Sequence, residues 1–293
     1  MARLPDALPE ALAALTASDR PGRSASLLHD PRCWEEALEV LSRPSLWIVT
    51  GFFVPEAQAA ETDGPPGACV LARALSRLGT SVRVFSDDAC LGVLRETGAV
   101  LGLPPDRFRG FPFDVPEEDL RAFLRREAPG GLVYLERLGR TPEGVCRNMR
   151  GQDVSPWVAP LDLWALDAPS RGIPVAAVGD GGNEAGMGPL RERLGSLVGD
   201  FASALSCIPS DVPIPVDVSN WGGYALTAAL EASSGADLLH TPEEEREMLH
   251  AMKRAGGVDG TTRAPALSVD GFGMDDQVAL VRELRVLTRG PRG

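Results

Sequence analysis

Cysteine and histidine are scarce in this sequence, which limits the chemistry available to it. The five cysteines are widely separated, no C-x-x-C pair occurs, and only three histidines are present. A zinc site or a disulfide framework is therefore not expected, and a reducing, cytoplasmic compartment is the natural location. We expect Cys69 and Cys90 to be small core residues and assign the histidines no catalytic role.

Lysine and long apolar runs are also nearly absent. No run is long enough to cross a bilayer, and the first residues resemble neither a signal peptide nor a transit peptide. Arginine supplies most of the positive charge, and 29 basic residues against 41 acidic ones give a formal charge of −12. Such a surface repels nucleic acid and anionic membranes, so neither is an expected partner. Association into a homo-oligomer is left open.

The rest of the composition is typical of a soluble globular protein, and short apolar runs alternate with helical patterns along the chain. This alternation predicts one α/β domain over residues 1–293, with a mostly parallel sheet sandwiched between helices in three layers. The predicted strands cover residues 45–53, 81–85, 107–111, 132–135, 173–178 and 212–218, with Pro213 and Pro215 placing the last at an edge or outside the sheet. The predicted helices cover residues 6–18, 31–42, 68–78, 89–97, 116–127, 159–168, 222–232, 242–255 and 275–287.

Carboxylates follow most of the predicted strands. Because the carboxyl ends of parallel strands share one edge, these side chains should meet where α/β sheets bind ligands. Oxygen ligands without histidine or cysteine suit Mg²⁺, Mn²⁺ or Ca²⁺, although any single carboxylate is more often a helix cap. The acidic residues at this edge are Glu61, Asp63, Asp87, Asp88, Glu136, Asp180, Glu184 and Asp217, of which Asp63, Glu136, Asp180 and Glu184 are the predicted metal ligands.

A glycine-rich stretch at residues 179–188, GDGGNEAGMG, follows the fifth predicted strand. Glycine lets the backbone approach a ligand closely, and carboxylates in such a loop are costly to bury unless something binds them. The stretch is not a P-loop, since it lacks the Gly-Lys-Ser/Thr ending, and Glu184 occupies the place of the third glycine of a dinucleotide fingerprint. No nucleotide cofactor is therefore expected.

Several long blocks resemble the D-glutamate cyclase family. They are ETDGPPGA (61–68), ER-x-GR (136–140), NMRG (148–151), GDGGNEAGMG (179–188), SNWGGYAL (219–226) and VDG (258–260 and 269–271). The resemblance implies an α/β fold, a divalent metal, and a hydro-lyase that converts D-glutamate to 5-oxo-D-proline and water. In the segment 141–147 this chain departs from the Asp-Gly and tyrosines expected of the family, which bears on substrate choice.

The residues suggest roles for this chemistry. As a hypothesis, Asp63, Asp180 and Glu184 hold the metal or act as general base. Arg137 or Arg140 would bind the substrate's α-carboxylate as a bidentate fork. Other predicted substrate contacts are Glu61, Asn148, Asn183, Asn220 and Trp221. Two alternatives stay open, a metal-dependent phosphohydrolase and a non-catalytic protein that binds metal or an amino acid.

Overall fold

The central feature is a six-stranded, fully parallel sheet. A computed structural model describes residues 3–289, and in it the sheet order is β5-β4-β1-β6-β7-β8. Two short antiparallel hairpins, β2-β3 and β9-β10, lie outside the sheet. In chain order the strands are β1 (Ser45–Thr50), β2 (Phe53–Val54), β3 (Ala59–Ala60), β4 (Ser81–Asp87), β5 (Phe108–Phe111), β6 (Gly131–Leu135), β7 (Val175–Gly179), β8 (Val212–Pro215), β9 (Ser268–Val269) and β10 (Phe272–Gly273).

Helices cover both faces of the sheet. Within residues 3–289, none is long and apolar enough to cross a membrane. They are α1 (Leu8–Thr16), α2 (Cys33–Leu41), α3 (Pro65–Arg77), α4 (Leu91–Val100), α5 (Glu117–Glu127), α6 (Leu163–Asp167), α7 (Arg191–Gly195), α8 (Ser219–Ser234), α9 (Pro242–Arg254) and α10 (Met274–Arg289).

Two hydrophobic cores confirm the three-layer prediction. In β1, Leu46 and Ile48 belong to one core, whereas Trp47 and Val49 belong to the other. The same alternation occurs in β6 and β7, as expected when side chains of a strand point to opposite faces. Apolar residues bury both faces of the sheet, so the strands read as continuous apolar runs.

The order of the strands places a crevice in the middle of the sheet. The chain builds outward from β1 through β4 to β5, then returns to add β6, β7 and β8 on the other side. The loops after β1 and β6 therefore diverge, and such a switch point is where open α/β sheets bind ligands. Here Gly51 N–H donates to the Glu136 carbonyl oxygen, which fixes the two loops side by side.

Most predicted elements are confirmed, with shifted ends. The strand at residues 212–215 lies at the edge of the sheet, as its prolines indicate. The helix predicted from residue 222 instead begins at Ser219, so Asn220 and Trp221 lie inside its first turn rather than before it. The apolar spacing alone did not reveal this turn, because its polar residues are buried against α3.

The backbones of α3 and α8 are in close contact at two glycines, Gly67 and Gly223. A Cβ on Gly223 would lie 2.7 Å from the Gly67 Cα, and a Cβ on Gly67 would lie 2.9 Å from the Asn220 Cα. Only hydrogen in place of a side chain allows this approach, and it brings the N-terminus of α8 beside the loop that carries Asp63.

Substitution of Gly223 by alanine should therefore destabilise the protein. The added methyl group meets the backbone of α3, which cannot move aside as a flexible side chain would. We expect the free energy of unfolding to fall by about 2 kcal/mol, measured by urea denaturation. Gly92→Ala in α4 is the matched control, because nothing lies within 4 Å of its added methyl group. A loss in Gly92→Ala equal to that in Gly223→Ala would refute the close-packing explanation.

Candidate active site

A polar cavity of about 280 Å³ opens at the switch point of the sheet. Its wall combines the loops after β1, β6 and β7 with the β9-β10 hairpin and a segment of the N-terminal region. The lining residues are Arg23, Phe52, Val54, Glu56, Glu61, Glu136, Asn148, Met149, Arg150, Asp180, Asn183, Gly260, Thr261 and Asp270.

Asp63 lies beneath this cavity and is 1% exposed. Its Oδ1 accepts hydrogen bonds from the amides of Gly64 and Asn220, and its Oδ2 accepts one from the amide of Ser219. The last two donors belong to the first turn of α8, where unpaired N–H groups and the helix dipole favour a negative charge. Asp63 is therefore the N-terminal cap of α8, supplied from a distant loop.

Glu136 reaches the cavity because the backbone turns at the end of β6. Its φ angle is +47°, an uncommon conformation for a residue with a side chain. The Ser219 hydroxyl donates to its Oε2 at 2.6 Å, so Glu136 also connects to the start of α8. Gly64 leaves room for it, since a Cβ there would lie 3.0 Å from the Glu136 Cβ.

In the glycine loop, Glu184 and Asp180 have different surroundings. The Glu184 carboxylate accepts three hydrogen bonds, from the amides of Asp180, Gly181 and Gly182, at 2.7 to 2.9 Å. It holds the loop in shape and does not line the cavity. Asp180 does line it, and its buried Oδ2 has no hydrogen-bond partner within residues 3–289. An unpaired buried carboxylate oxygen is costly, which points to a ligand.

Two residues that sequence analysis missed complete the cluster. Arg23 Nη1 lies 2.7 Å from Asp180 Oδ1 and 2.9 Å from Asp270 Oδ2. Asp270 and Gly271 have φ angles of +54° and +82°, as the Asp-Gly of a two-residue hairpin turn requires. The VDG block at 269–271 is a sequence signal for this turn, but it does not show that Asp270 reaches the cavity. No sequence signal identified Arg23.

A second VDG block positions this hairpin. The Asp259 carboxylate accepts from the amides of Thr261, Thr262 and Gly271 and from the Ser268 hydroxyl. Asp259 thereby ties its own loop to the turn that carries Asp270. Gly260 leaves room for the Glu61 carboxylate, which a Cβ at this position would displace.

The cluster carries more negative charge than its surroundings neutralise. Burial raises the pKa values of Glu61, Asp63, Glu136 and Asp180 above their usual range. Repulsion from neighbouring acids raises the pKa values of the first three further, whereas the Arg23 charge offsets part of the rise for Asp180. Burial and the Asp180 charge raise the pKa of Asp270 to about 7. Among the residues the structure describes, only Arg23 forms ion pairs with these five acids. Protons or a bound cation must balance the remaining charge.

The donor set fits a hard divalent cation. Asp63, Glu136 and Asp180 each offer one carboxylate oxygen, and these atoms lie within 4.8 Å of one another. Oxygen-only donors and the unpaired Asp180 Oδ2 match the preferences of Mg²⁺, Mn²⁺ or Ca²⁺. Glu184, predicted as a fourth ligand, is outside this group because its oxygens bind the glycine loop.

The two arginines predicted to hold the substrate do not line the cavity. Arg137 is 1% exposed, donates to both oxygens of Asp87, and also donates to the Gly51 and Ala159 carbonyls. Arg140 donates to both carboxylate oxygens of Asp162, from Nε at 2.8 Å and from Nη2 at 3.0 Å. Both guanidinium groups are directed at carboxylates of the protein, so the predicted substrate role is revised to a structural one.

Arg137 should therefore contribute to stability rather than to substrate binding. Arg137→Gln leaves Asp87 buried without its charge partner, and we expect the free energy of unfolding to fall by about 3 kcal/mol. Arg140→Gln, at a partly exposed pair, should cost clearly less. Urea denaturation of both variants measures this. A stable Arg137→Gln protein with weakened substrate binding would restore the original prediction.

The other predicted contacts separate into two groups. Glu61, Asn148 and Asn183 line the cavity. Asn220 does not, because its Oδ1 accepts from the amides of Gly64 and Gly67 and its Nδ2 donates to the Thr62 carbonyl. Trp221 is fully buried and donates to Gln277 Oε1. These two residues anchor α8 through their hydrogen bonds, and neither lines the cavity.

Comparison with known proteins agrees with this geometry. Residues 12–285 match the family described as D-glutamate cyclase-like, C-terminal. The chain belongs to this family. Human mitochondrial D-glutamate cyclase is 32% identical over 200 residues, which cover 64% of this chain and 32% of the human protein. The match thus spans about a third of that relative, and it places the cavity described above in a member of a cyclase-like family.

Proposed function

We propose that this protein is a lyase that converts D-glutamate to 5-oxo-D-proline and water. The observation that carries the proposal is the cavity at the switch point, whose buried carboxylates have raised pKa values and lie around the Arg23 guanidinium. Family membership supports the reaction class, because the human relative is named a D-glutamate cyclase. A small acidic amino acid suits a cavity of this size and polarity.

The reaction needs groups that move protons near neutral pH. The substrate nitrogen attacks the side-chain carboxyl carbon, a C–N bond forms, and a C–O bond breaks to release water. The ammonium loses two protons, and the departing oxygen gains two. Carboxyl groups whose pKa is raised toward neutrality can accept and return these protons. We assign this work to Asp180, with Asp270 beside it.

The protein also positions the reactants. Ring closure of a bound diacid is unimolecular, so a cavity that holds both ends together removes much of the entropic barrier. A divalent cation held by Asp180, Glu136 and Asp63 would offset the charge of the substrate carboxylate and make its carbon more electrophilic. Glu184 acts indirectly in this scheme, by fixing the glycine loop, and Asp63 also fixes the start of α8.

Incubation of the purified protein with D-glutamate, L-glutamate and a phosphomonoester tests the proposal. Each is supplied with EDTA and, separately, with Mg²⁺ or Mn²⁺. We expect 5-oxoproline from D-glutamate, with a lower rate in EDTA. Release of phosphate without 5-oxoproline would favour a phosphohydrolase. If nothing is turned over but D-glutamate raises the melting temperature, the protein is a binding protein.

A further inference from the structure

Arg23 is a cation in the cavity wall that takes no part in the proton transfers assigned to Asp180 and Asp270. In both ion pairs of Arg23, with Asp180 and with Asp270, the nearest nitrogen is Nη1. Within residues 3–289 the hydrogen bond of this side chain runs from Nη1 to Asp270, which leaves Nε and Nη2 without one. The side chain is 17% exposed and lines the cavity. A guanidinium has five N–H donors in a planar fork, and the unused pair matches a carboxylate.

Arg23 is held in place by a well-anchored segment, the N-terminal strap (residues 17–24). The Asp217 carboxylate, just after β8, accepts from the amides of Ser18, Asp19 and Arg20. Asp19 in turn accepts from the amide of Ser24, which closes the turn around Arg23. These hydrogen bonds fix the strap backbone, and the strap places one positively charged side chain, Arg23, in an acidic cavity.

The strap also has a second anchor, the side chain of Arg20. The Arg20 guanidinium lies 4.8 Å from the ring centroid of Trp221 and 4.9 Å from that of Phe272. Cation–π contacts of this kind hold Arg20 against α8 and the β9-β10 hairpin. Arg20 thus shapes the strap without lining the cavity, which makes it a useful control.

An acidic substrate needs such a cation. Glu61, Glu136, Asp180 and Asp270 in the cavity wall would repel both carboxylates of the substrate. Arg137 and Arg140 are bound to Asp87 and Asp162, and the remaining lining cation, Arg150, is exposed at the rim. Within the described part of the wall, Arg23 is the buried positive group.

We propose that Arg23 is the substrate-binding residue that selects dicarboxylates, with its free Nε and Nη2 holding one substrate carboxylate while Asp180 and Asp270 fix Nη1. This assignment rests on the proposed function for the identity of the substrate. It assigns to the N-terminal strap the role that sequence analysis gave to the arginines after β6.

Binding of glutarate, a dicarboxylate without the amine, tests the assignment independently of turnover. Titration calorimetry would compare the wild type with Arg23→Gln and Arg20→Gln, each checked for folding by its melting temperature. We expect Arg23→Gln to weaken glutarate binding and to raise the KM for D-glutamate by about 10- to 100-fold. Arg20→Gln should stay within about three-fold.

Two further measurements separate binding from structure. In Arg23→Ala, guanidinium at low millimolar concentration should restore part of the affinity, which a purely structural defect would not allow. Unchanged glutarate affinity in Arg23→Gln would overturn the assignment, and so would equal losses in Arg23→Gln and Arg20→Gln. If the wild type makes no 5-oxoproline yet binds glutarate through Arg23, the proposed function fails and the binding assignment stands.

Discussion

Asp180→Asn should abolish formation of 5-oxoproline while leaving the protein folded. The substitution keeps the shape of the side chain but removes a group that can accept a proton or bind a cation. A loss of about 10³-fold in kcat is expected for removal of a general base. The melting temperature should stay near that of the wild type, because Arg23 keeps its ion pair with Asp270 and the change removes one negative charge from a cluster that has an excess of it.

Asp167→Asn is the matched control for this variant. It makes the same chemical change in a surface pair with Arg121, away from the cavity, and should leave kcat unchanged. Activity is measured as 5-oxoproline released per unit time at saturating D-glutamate. An Asp180→Asn protein that retains more than a tenth of the wild-type rate would remove Asp180 from the proposed mechanism.

Glu184→Gln, unlike Asp180→Asn, should greatly lower the stability of the protein. The Glu184 carboxylate accepts three backbone N–H groups of the glycine loop, and an amide would turn its NH₂ toward at least one of them. Leaving a buried donor unpaired and losing charge-assisted hydrogen bonds should lower the free energy of unfolding by about 3 kcal/mol. Activity would fall with it, because the loop carries Asp180.

The two variants together distinguish a chemical role from a structural one. Glu192→Gln, at an exposed position of α7, serves as the control and should change stability by less than about 0.5 kcal/mol. Urea denaturation measures all three proteins. If Glu184→Gln were as stable as the wild type but inactive, Glu184 would belong to the chemistry, as its sequence position first suggested.

The sheet could be predicted from sequence because its strands are buried on both faces. Runs such as residues 45–50 and 132–135 contain no polar interruption, and the helices between them force parallel pairing. The start of α8 could not be predicted in the same way. Its first residues, Ser219 and Asn220, look like a loop, and only their contacts with Asp63 and Gly67 show why they are helical.

Most of the acidic residues of the site could be named from sequence, whereas Asp270 and Arg23 could not. Asp63, Glu136 and Asp180 each lie beyond a strand of one parallel sheet, so topology alone gathers them. The position of a residue after a strand does not determine where its side chain points, however. The positive φ of Glu136 turns its side chain into the cavity and leaves Arg137 facing Asp87. Arg23 comes from a segment whose course depends on Asp217, nearly two hundred residues away in the chain.

The prolines of β8 bear on how copies of this protein could associate. The Val216 N–H, just past the strand, bonds to β7 at Gly179, so by the alternation of a strand Pro213 and Pro215 face away from the sheet. Neither has an N–H to donate, and the outward Pro215 carbonyl is already bonded to the His29 ring. An incoming strand would find this edge unable to pair with it, which guards against aggregation by sheet extension. Extension of the sheet from one copy to another would therefore have to use β5, the other edge strand.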